Sequence, residues 1–216
     1  MNAAPQLFLF DLDGTLIDSR ADLAAATNAM RALHGLPPLP LDTVTAYVGD
    51  GIRVLAVRAL EGAAVDPDLA AREISAAYAE HLTDRTIAYP GVDAGLRALR
   101  AAGHDLALVT NKPGPLARRL FDHFGWTPLF AALLGGGDTA ELKPSPLPLQ
   151  IAMQRTGHAP ATTWMIGDHH TDLEAARRAG VKSIYLASGI GHPGAEKPDL
   201  VCPDFAAFAS HFLPRA

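Results

Sequence analysis

Leu7-Phe8-Leu9-Phe10 is an unbroken apolar run that stops at Asp11. A short run without alternation predicts a strand buried on both faces of a parallel sheet. The same shape recurs at 105–109, 129–134, 163–166 and 183–186. Between these runs the apolar positions take helical spacing. Val92, Leu96 and Leu99 share a face, with Gly103 as the stop. Leu116, Leu120, Phe121 and Phe124 mark a second helix over 115–124. Two more are predicted over 147–156 and 172–179, the last stopped by Gly180. Strands alternating with helices predict an α/β protein with a Rossmann-like open parallel sheet.

One stretch breaks the alternation. From 19 to 86 the pattern offers no clear strand and reads as four helices, over 21–33, 41–48, 51–60 and 68–82. Gly and Pro separate them, at His34-Gly35-Leu36-Pro37-Pro38, Val48-Gly49-Asp50-Gly51 and Asp66-Pro67-Asp68. The expected organisation is an α/β core made of 1–18 and 87–216, with an all-helical cap, 19–86, inserted after the first strand. Tyr89-Pro90-Gly91 is the expected hinge at the cap's return.

Composition narrows the partners. The 216 residues are 49% apolar and 19% charged, the balance of a globular chain. Eighteen Lys and Arg against 23 Asp and Glu give a net charge of −5, which argues against a generally basic nucleic-acid binder. The single cysteine, Cys202, leaves no internal disulfide framework and points to a reducing cytoplasm. No apolar run is long enough to span a bilayer. Residues 1–6 lack a basic stretch, so a cleaved leader is not expected.

The candidate chemistry sits where strands end. Asp11-Leu12-Asp13-Gly14-Thr15 follows the first strand, and ligands of open parallel sheets bind outside the carboxyl ends of the strands. Residues two apart on extended chain point the same way, so Asp11 and Asp13 share one rim. Gly14 permits a tight turn and close backbone approach. Thr110-Asn111-Lys112 follows the strand at 105–109, and Gly167-Asp168-His169-His170-Thr171-Asp172 follows the strand at 163–166. Lys143 lies in Leu142-Lys143-Pro144-Ser145-Pro146, where two prolines hold it just outside a helix. A carboxylate pair, a hydroxyl, an amine and a second carboxylate pair, in that order and each after a strand or before a helix, form a strong combined signal, although each alone is weak. Oxygen-rich sites of this kind favour Mg²⁺.

These residues resemble the haloacid dehalogenase superfamily of aspartyl-phosphate phosphohydrolases over essentially the whole chain. Asp11-Leu12-Asp13-Gly14-Thr15 is similar to the first motif, Thr110 to the second, Lys143 to the third and Gly167-Asp168-x-x-x-Asp172 to the fourth. Within the superfamily, Tyr47-Val48-Gly49-Asp50-Gly51-Ile52-Arg53-Val54-Leu55 and Gly136-Gly137-Asp138-Thr139 look like the phosphoglycolate phosphatase group. His169-His170 is a mild departure, since the family more often has a small polar residue beside the fourth-motif Asp.

The resemblance implies that Asp11 is the nucleophile and Asp13 the acid and base. Asp11, Asp168 and the Asp13 backbone carbonyl would hold Mg²⁺. Thr110 and Lys143 would bind phosphate oxygens, with Asn111 as a further donor. Asp172 would orient Lys143 or a metal-bound water. A halide leaving group needs no proton, so Asp13 favours phosphoryl chemistry over carbon–halogen cleavage. The cap would select the substrate, a small phosphorylated metabolite with 2-phosphoglycolate favoured, and Arg53 is the candidate partner for a substrate carboxylate. Sugar-phosphate and amino-sugar-phosphate phosphatases, a pyrophosphatase and a phosphoglucomutase-like phosphotransferase share the core motifs. A receiver-like or non-catalytic phosphate-binding module fits the order of residues less well. Asp50 is read as a helix cap before Gly51, and His169 and His170 as solvated or supporting residues.

Overall fold

The computed structural model describes residues 5–213. Residues 1–4 of the segment considered for a leader, and 214–216, lie outside the described residues. The first strand, β1 (Leu7–Phe10), leads through a turn into β2 (Ile17–Asp18). Four helices follow: α1 (Arg20–Leu33), α2 (Leu41–Thr45), α3 (Ile52–Leu60) and α4 (Pro67–Glu80). The chain returns through β3 (Ile87–Ala88), which pairs antiparallel with β2. Then come α5 (Val92–Ala101), β4 (Asp105–Pro113), α6 (Gly114–Phe124), β5 (Ala132–Gly136) and α7 (Leu147–Thr156). The last part is β6 (Thr163–Gly167), α8 (His170–Ala179), β7 (Lys182–Leu186), β8 (Leu200–Cys202) and α9 (Phe205–Phe212).

The main sheet has the order β5-β4-β1-β6-β7-β8, and its strand pairs are parallel. After β1 the chain builds outward on one side through β4 and β5. It then crosses to the other side of β1 for β6, β7 and β8. The strand order therefore reverses around β1, and the crevice at the carboxyl ends of β4, β1 and β6 is the natural ligand position.

Both faces of β1 are covered, which accounts for its unbroken apolar run. Phe8 and Phe10 join one core cluster and Leu7 and Leu9 the other. The α9 aromatics seal the first face: Phe208 stands 5.5 Å from Phe8 and 5.7 Å from Phe10, centroid to centroid. On the second face Leu149 and Ala152 of α7 pack against the sheet. Each fully buried Leu or Phe side chain is worth about 1.5–3 kcal/mol, so β1 is an anchor for the residues that follow it.

Three sequence expectations shift. The strand expected over 129–134 begins at Ala132, because Thr127–Leu129 form a single 3₁₀ turn around Pro128. The helix expected over 41–48 stops at Thr45. The chain beyond it must pass close over the core: Gly49 has φ +122°, and a Cβ there would lie 2.9 Å from the His169 ring. The strand β8 and the helix α9 were not anticipated, although Phe205, Phe208 and Phe212 carry helical spacing.

Candidate active site

Asp11 continues β1 by one hydrogen bond, its amide donating to the Ile166 carbonyl at 3.0 Å. Its side chain is buried. Lys143 reaches it from the loop between β5 and α7. The Lys143 ammonium is buried, donates to the Asp172 carboxylate at 2.6 Å and to the Val109 carbonyl at 2.7 Å, and stands 2.9 Å from Asp11 Oδ1. That last approach lacks hydrogen-bond geometry, so Asp11 Oδ1 is a buried oxygen without a hydrogen-bond donor. Burial alone would push the Lys143 ammonium down; the carboxylates of Asp11 and Asp172 outweigh it and hold the ammonium above its usual range.

Asp168 is fixed from three sides. The Thr15 hydroxyl donates to Oδ1 at 2.7 Å, and the Ile190 and Gly191 amides donate to Oδ2, each at 2.9 Å. Burial, helped by the charge of Asp11, pushes its carboxyl up to about 6 despite these donors. Gly14 makes the close turn possible: it has φ +86°, and a Cβ there would fall 2.2 Å from Asp168 Oδ2. Asp172 opens α8, where its Oδ2 accepts from the His169 amide at 3.1 Å. Burial raises its carboxyl too, against the pull of Lys143.

Asp11, Asp168 and Asp172 each offer an oxygen within 4.8 Å of the others. Three buried carboxylates thus face one buried ammonium, Lys143. An all-oxygen donor set with excess negative charge and an unbonded buried oxygen suits a hard divalent cation.

Asp13 has a different environment. It accepts from the Ser19 hydroxyl at 2.5 Å and from the Lys112 ammonium at 2.8 and 3.0 Å. Asp11 and Asp13 both line a pocket of about 490 Å³, mouth included, between sheet and helical insertion. Thr110 and Asn111 line it from β4; Leu23, Val48, Ile52 and Leu55 line it from the insertion. Thr110 is buried, and its hydroxyl accepts from the Lys112 amide at 3.2 Å.

The family model for haloacid dehalogenase-like hydrolases matches residues 8–186. The chain belongs to the haloacid dehalogenase-like hydrolases. A phosphoglycolate phosphatase of Psychrobacter arcticus is 39% identical over 96% of this chain and 96% of its own. One from Pseudomonas putida is 41% identical over 94% of this chain and 78% of its own. Among solved structures, one described as a predicted phosphoglycolate phosphatase from Haemophilus somnus superposes with a TM-score of 0.90 at 32% identity, covering 97% of this chain and 98% of that one. The chain is a phosphoglycolate phosphatase-like hydrolase with a helical cap. Among the described residues no helix is long and apolar enough to cross a membrane.

In this hydrolase the motif residues Asp11, Asp13, Thr110, Lys143, Asp168 and Asp172 converge on the sheet's carboxyl edge. Arg53 does not. It lies on α3 with its side chain 65% exposed, pairs with Asp68 of α4 at 2.7 Å, and is absent from the pocket wall. Asn111 lines the pocket, but its amide is committed. Nδ2 donates to the Gly49 and Lys143 carbonyls at 3.0 and 2.9 Å, while Oδ1 accepts from the Lys143 amide at 2.9 Å. Its side chain positions Lys143 and seats the cap loop, and has no amide hydrogen left for a substrate.

Asp50 is not a helix cap. Its carboxylate meets Arg58 at 2.6 Å and His170 at 3.6 Å. His169 is buried rather than solvated, and it opens α8 through a reciprocal cap with Asp172. Sequence reasoning assigned no role to Lys112 or Tyr78, both of which line the pocket. The position of Lys112, two residues beyond Thr110 at a strand end, was the only signal available.

Proposed function

We propose that this enzyme is a Mg²⁺-dependent phosphomonoester hydrolase that acts on 2-phosphoglycolate through an aspartyl-phosphate on Asp11. The observation that carries the chemistry is the contrast between two carboxylates of one strand end. Both line the pocket, but Asp11 also belongs to the buried acidic cluster beside Lys143, whereas Asp13 is held by Ser19 and Lys112. One is placed to attack and the other to move protons. The substrate's identity rests on the phosphoglycolate phosphatases that match nearly the full chain.

An Asp11 oxygen attacks phosphorus as the ester P–O bond breaks, and Asp13 gives its proton to the departing alkoxide. Asp13 then takes a proton from water, the water oxygen attacks phosphorus, and inorganic phosphate leaves with Asp11 restored. Such acid–base help is worth about 10²–10⁴ in rate. Lys143 and the Thr110 hydroxyl bind non-bridging oxygens and offset the charge that builds on them. Asp172 and Asn111 hold Lys143 in place. Asp11, Asp168 and the Asp13 carbonyl would hold Mg²⁺, which would supply charge neutralisation and a template for the phosphate.

The cap in this proposal spans 19–86 and the core 1–18 and 87–216, a division supported by the β2–β3 ribbon at the crossing. A reducing cytoplasm is the proposed setting, in keeping with a single cysteine, Cys202, buried and unpaired.

The test is phosphate release with and without Mg²⁺, with Asp11→Asn as the blank. The substrates are 2-phosphoglycolate, sugar phosphates, an amino-sugar phosphate and pyrophosphate. The expected result is Mg²⁺- and Asp11-dependent release, with 2-phosphoglycolate leading in kcat/KM by about tenfold or more, a modest margin for a pocket that hydrogen-bonds a substrate group. A different leading ester would sink the substrate assignment, and release by Asp11→Asn would sink the mechanism.

A further inference from the structure

Lys112 is a cation where stability alone does not require one. Its side chain is buried at the carboxyl end of β4. Its ammonium donates to both Asp13 oxygens and, at 2.9 Å, to the Tyr78 hydroxyl of α4, and lies 4.4 Å from the centre of the Tyr78 ring. Burying an ammonium is costly, and well-packed apolar replacements of buried ion pairs are often neutral or stabilising. Asp13 also has a second anchor in Ser19. Lys112 is therefore more than a clamp on Asp13.

The pocket gives the reason. Among the described residues that line it, Lys112 is the only cation. Around it the wall is apolar: Leu23, Val48, Ile52, Leu55 and Leu116. Such a wall offers few partners for the hydroxyls of a sugar. It suits a short carbon spacer that ends in one anionic group. The ester oxygen of a substrate whose phosphate lies against Asp11, Thr110 and Lys143 must meet Asp13, and Lys112 is bonded to Asp13. A carboxylate one carbon beyond the ester oxygen would reach Lys112 by taking one of the two hydrogens that the ammonium otherwise gives to Asp13.

We propose that Lys112, braced by Tyr78, is the receptor for a carboxylate on the leaving group, and that it selects small phosphomonoesters carrying an anion next to the ester carbon. The role that the sequence suggested for the solvent-facing Arg53 passes to this buried ammonium. The proposal deepens the phosphomonoesterase reading above and rests on it.

The experiment compares kcat/KM for 2-phosphoglycolate and for ethyl phosphate, which keeps the two-carbon ester and lacks the carboxylate. Both are measured on the wild type and on Lys112→Met, with Lys112→Gln in reserve should the Met variant not fold. The wild type should prefer 2-phosphoglycolate, and the substitution should shrink that preference by about 10²-fold or more, chiefly through KM for 2-phosphoglycolate. A strong wild-type preference that survives the substitution, with both esters slowed equally, overturns the proposal and leaves the substrate assignment standing; Lys112 then only positions Asp13. A wild type that does not distinguish the two esters overturns both.

Discussion

The two ends of the cap, where the chain leaves the core and where it returns, are tied together by one buried carboxylate, and its removal can be worked through. Asp22 lies in the first turn of α1 and is buried. It accepts from the Arg85 amide at 2.9 Å, the Thr86 hydroxyl at 2.8 Å and Arg85 Nε at 3.0 Å. The first helix of the cap is thereby stapled to the segment by which the chain returns to the core. A hydrogen bond to a charged acceptor contributes about 1.5–3 kcal/mol. The Arg85 side chain is 56% exposed, so solvent screening reduces its share to about 0–1 kcal/mol. The amide and the hydroxyl carry the rest, so Asp22→Ala should cost about 3–5 kcal/mol, a large part of the 5–15 kcal/mol of a typical domain. Asp22→Asn keeps one acceptor oxygen and should cost about half as much.

The pH dependence has a definite sign. Burial would push the Asp22 carboxyl up, but the Arg85 amide, the Thr86 hydroxyl and the Arg85 guanidinium outweigh it and hold the group below the usual carboxylate range. A carboxyl depressed in the folded state stabilises above its unfolded value, about 3.9, and loses that contribution as pH falls through the folded value. Urea unfolding followed by far-ultraviolet circular dichroism at pH 7 and again below pH 4 is the assay. The gap between wild type and Asp22→Ala should be wide at pH 7 and narrow in acid. Equal midpoints at pH 7, or a gap that does not change with pH, would refute the staple.

Three further outcomes are expected. Lys143→Met should lower kcat on the best substrate by about 10²–10³, as loss of a buried charge-stabilising donor does; single-turnover phosphate release measures it. Chelation should abolish release and added Mg²⁺ restore it, and the Mg²⁺ concentration for half-activation should rise as pH falls through about 6, because burial and the charge of Asp11 raise Asp168 into that range and protons then compete with the cation. Arg53→Ala should change stability by less than about 0.5 kcal/mol, since its pair with Asp68 is solvent-exposed, and should leave kcat/KM within about twofold; a larger loss would return Arg53 to the site.

What the sequence revealed, and what it hid, follows from how far each residue's partners lie along the chain. Asp11, Thr110 and Asp168 were legible because their position at the edge of an apolar run already fixes where they emerge, and Lys143 because the prolines that follow it hold it just outside a helix. The buried runs at β1 and β4 were legible for the same reason, since the packing of both faces removes alternation. Lys112 was not, because a lysine beyond a strand is ordinary until Tyr78, from a helix 34 residues away, closes over it. Arg53 had the right chemistry and the wrong direction. Its α3 face looks toward Asp68 of α4, and nothing in a nine-residue helix with small and apolar neighbours says which arginine turns inward. Asn111 failed as a donor because its partners, Gly49 and Lys143, are backbone carbonyls, which side-chain patterns do not display.

The residues that were hard to read share a location, and the location explains their purpose. Asn111 bonds the Gly49 carbonyl, Lys112 bonds Tyr78, and His170 faces Asp50, three polar contacts between the helical insertion and the core, beside that of Arg119 with the Ala79 carbonyl. On the core side, each of the first three contacts comes from a residue one or two positions from a motif residue: Thr110 for the first two, Asp168 for the third. The segments that carry these motif residues are thus among those on which the cap rests. Asn111 bonds the Gly49 carbonyl on one side and both the amide and the carbonyl of Lys143 on the other, so one side chain ties the seating of the cap loop to the backbone that carries the buried ammonium.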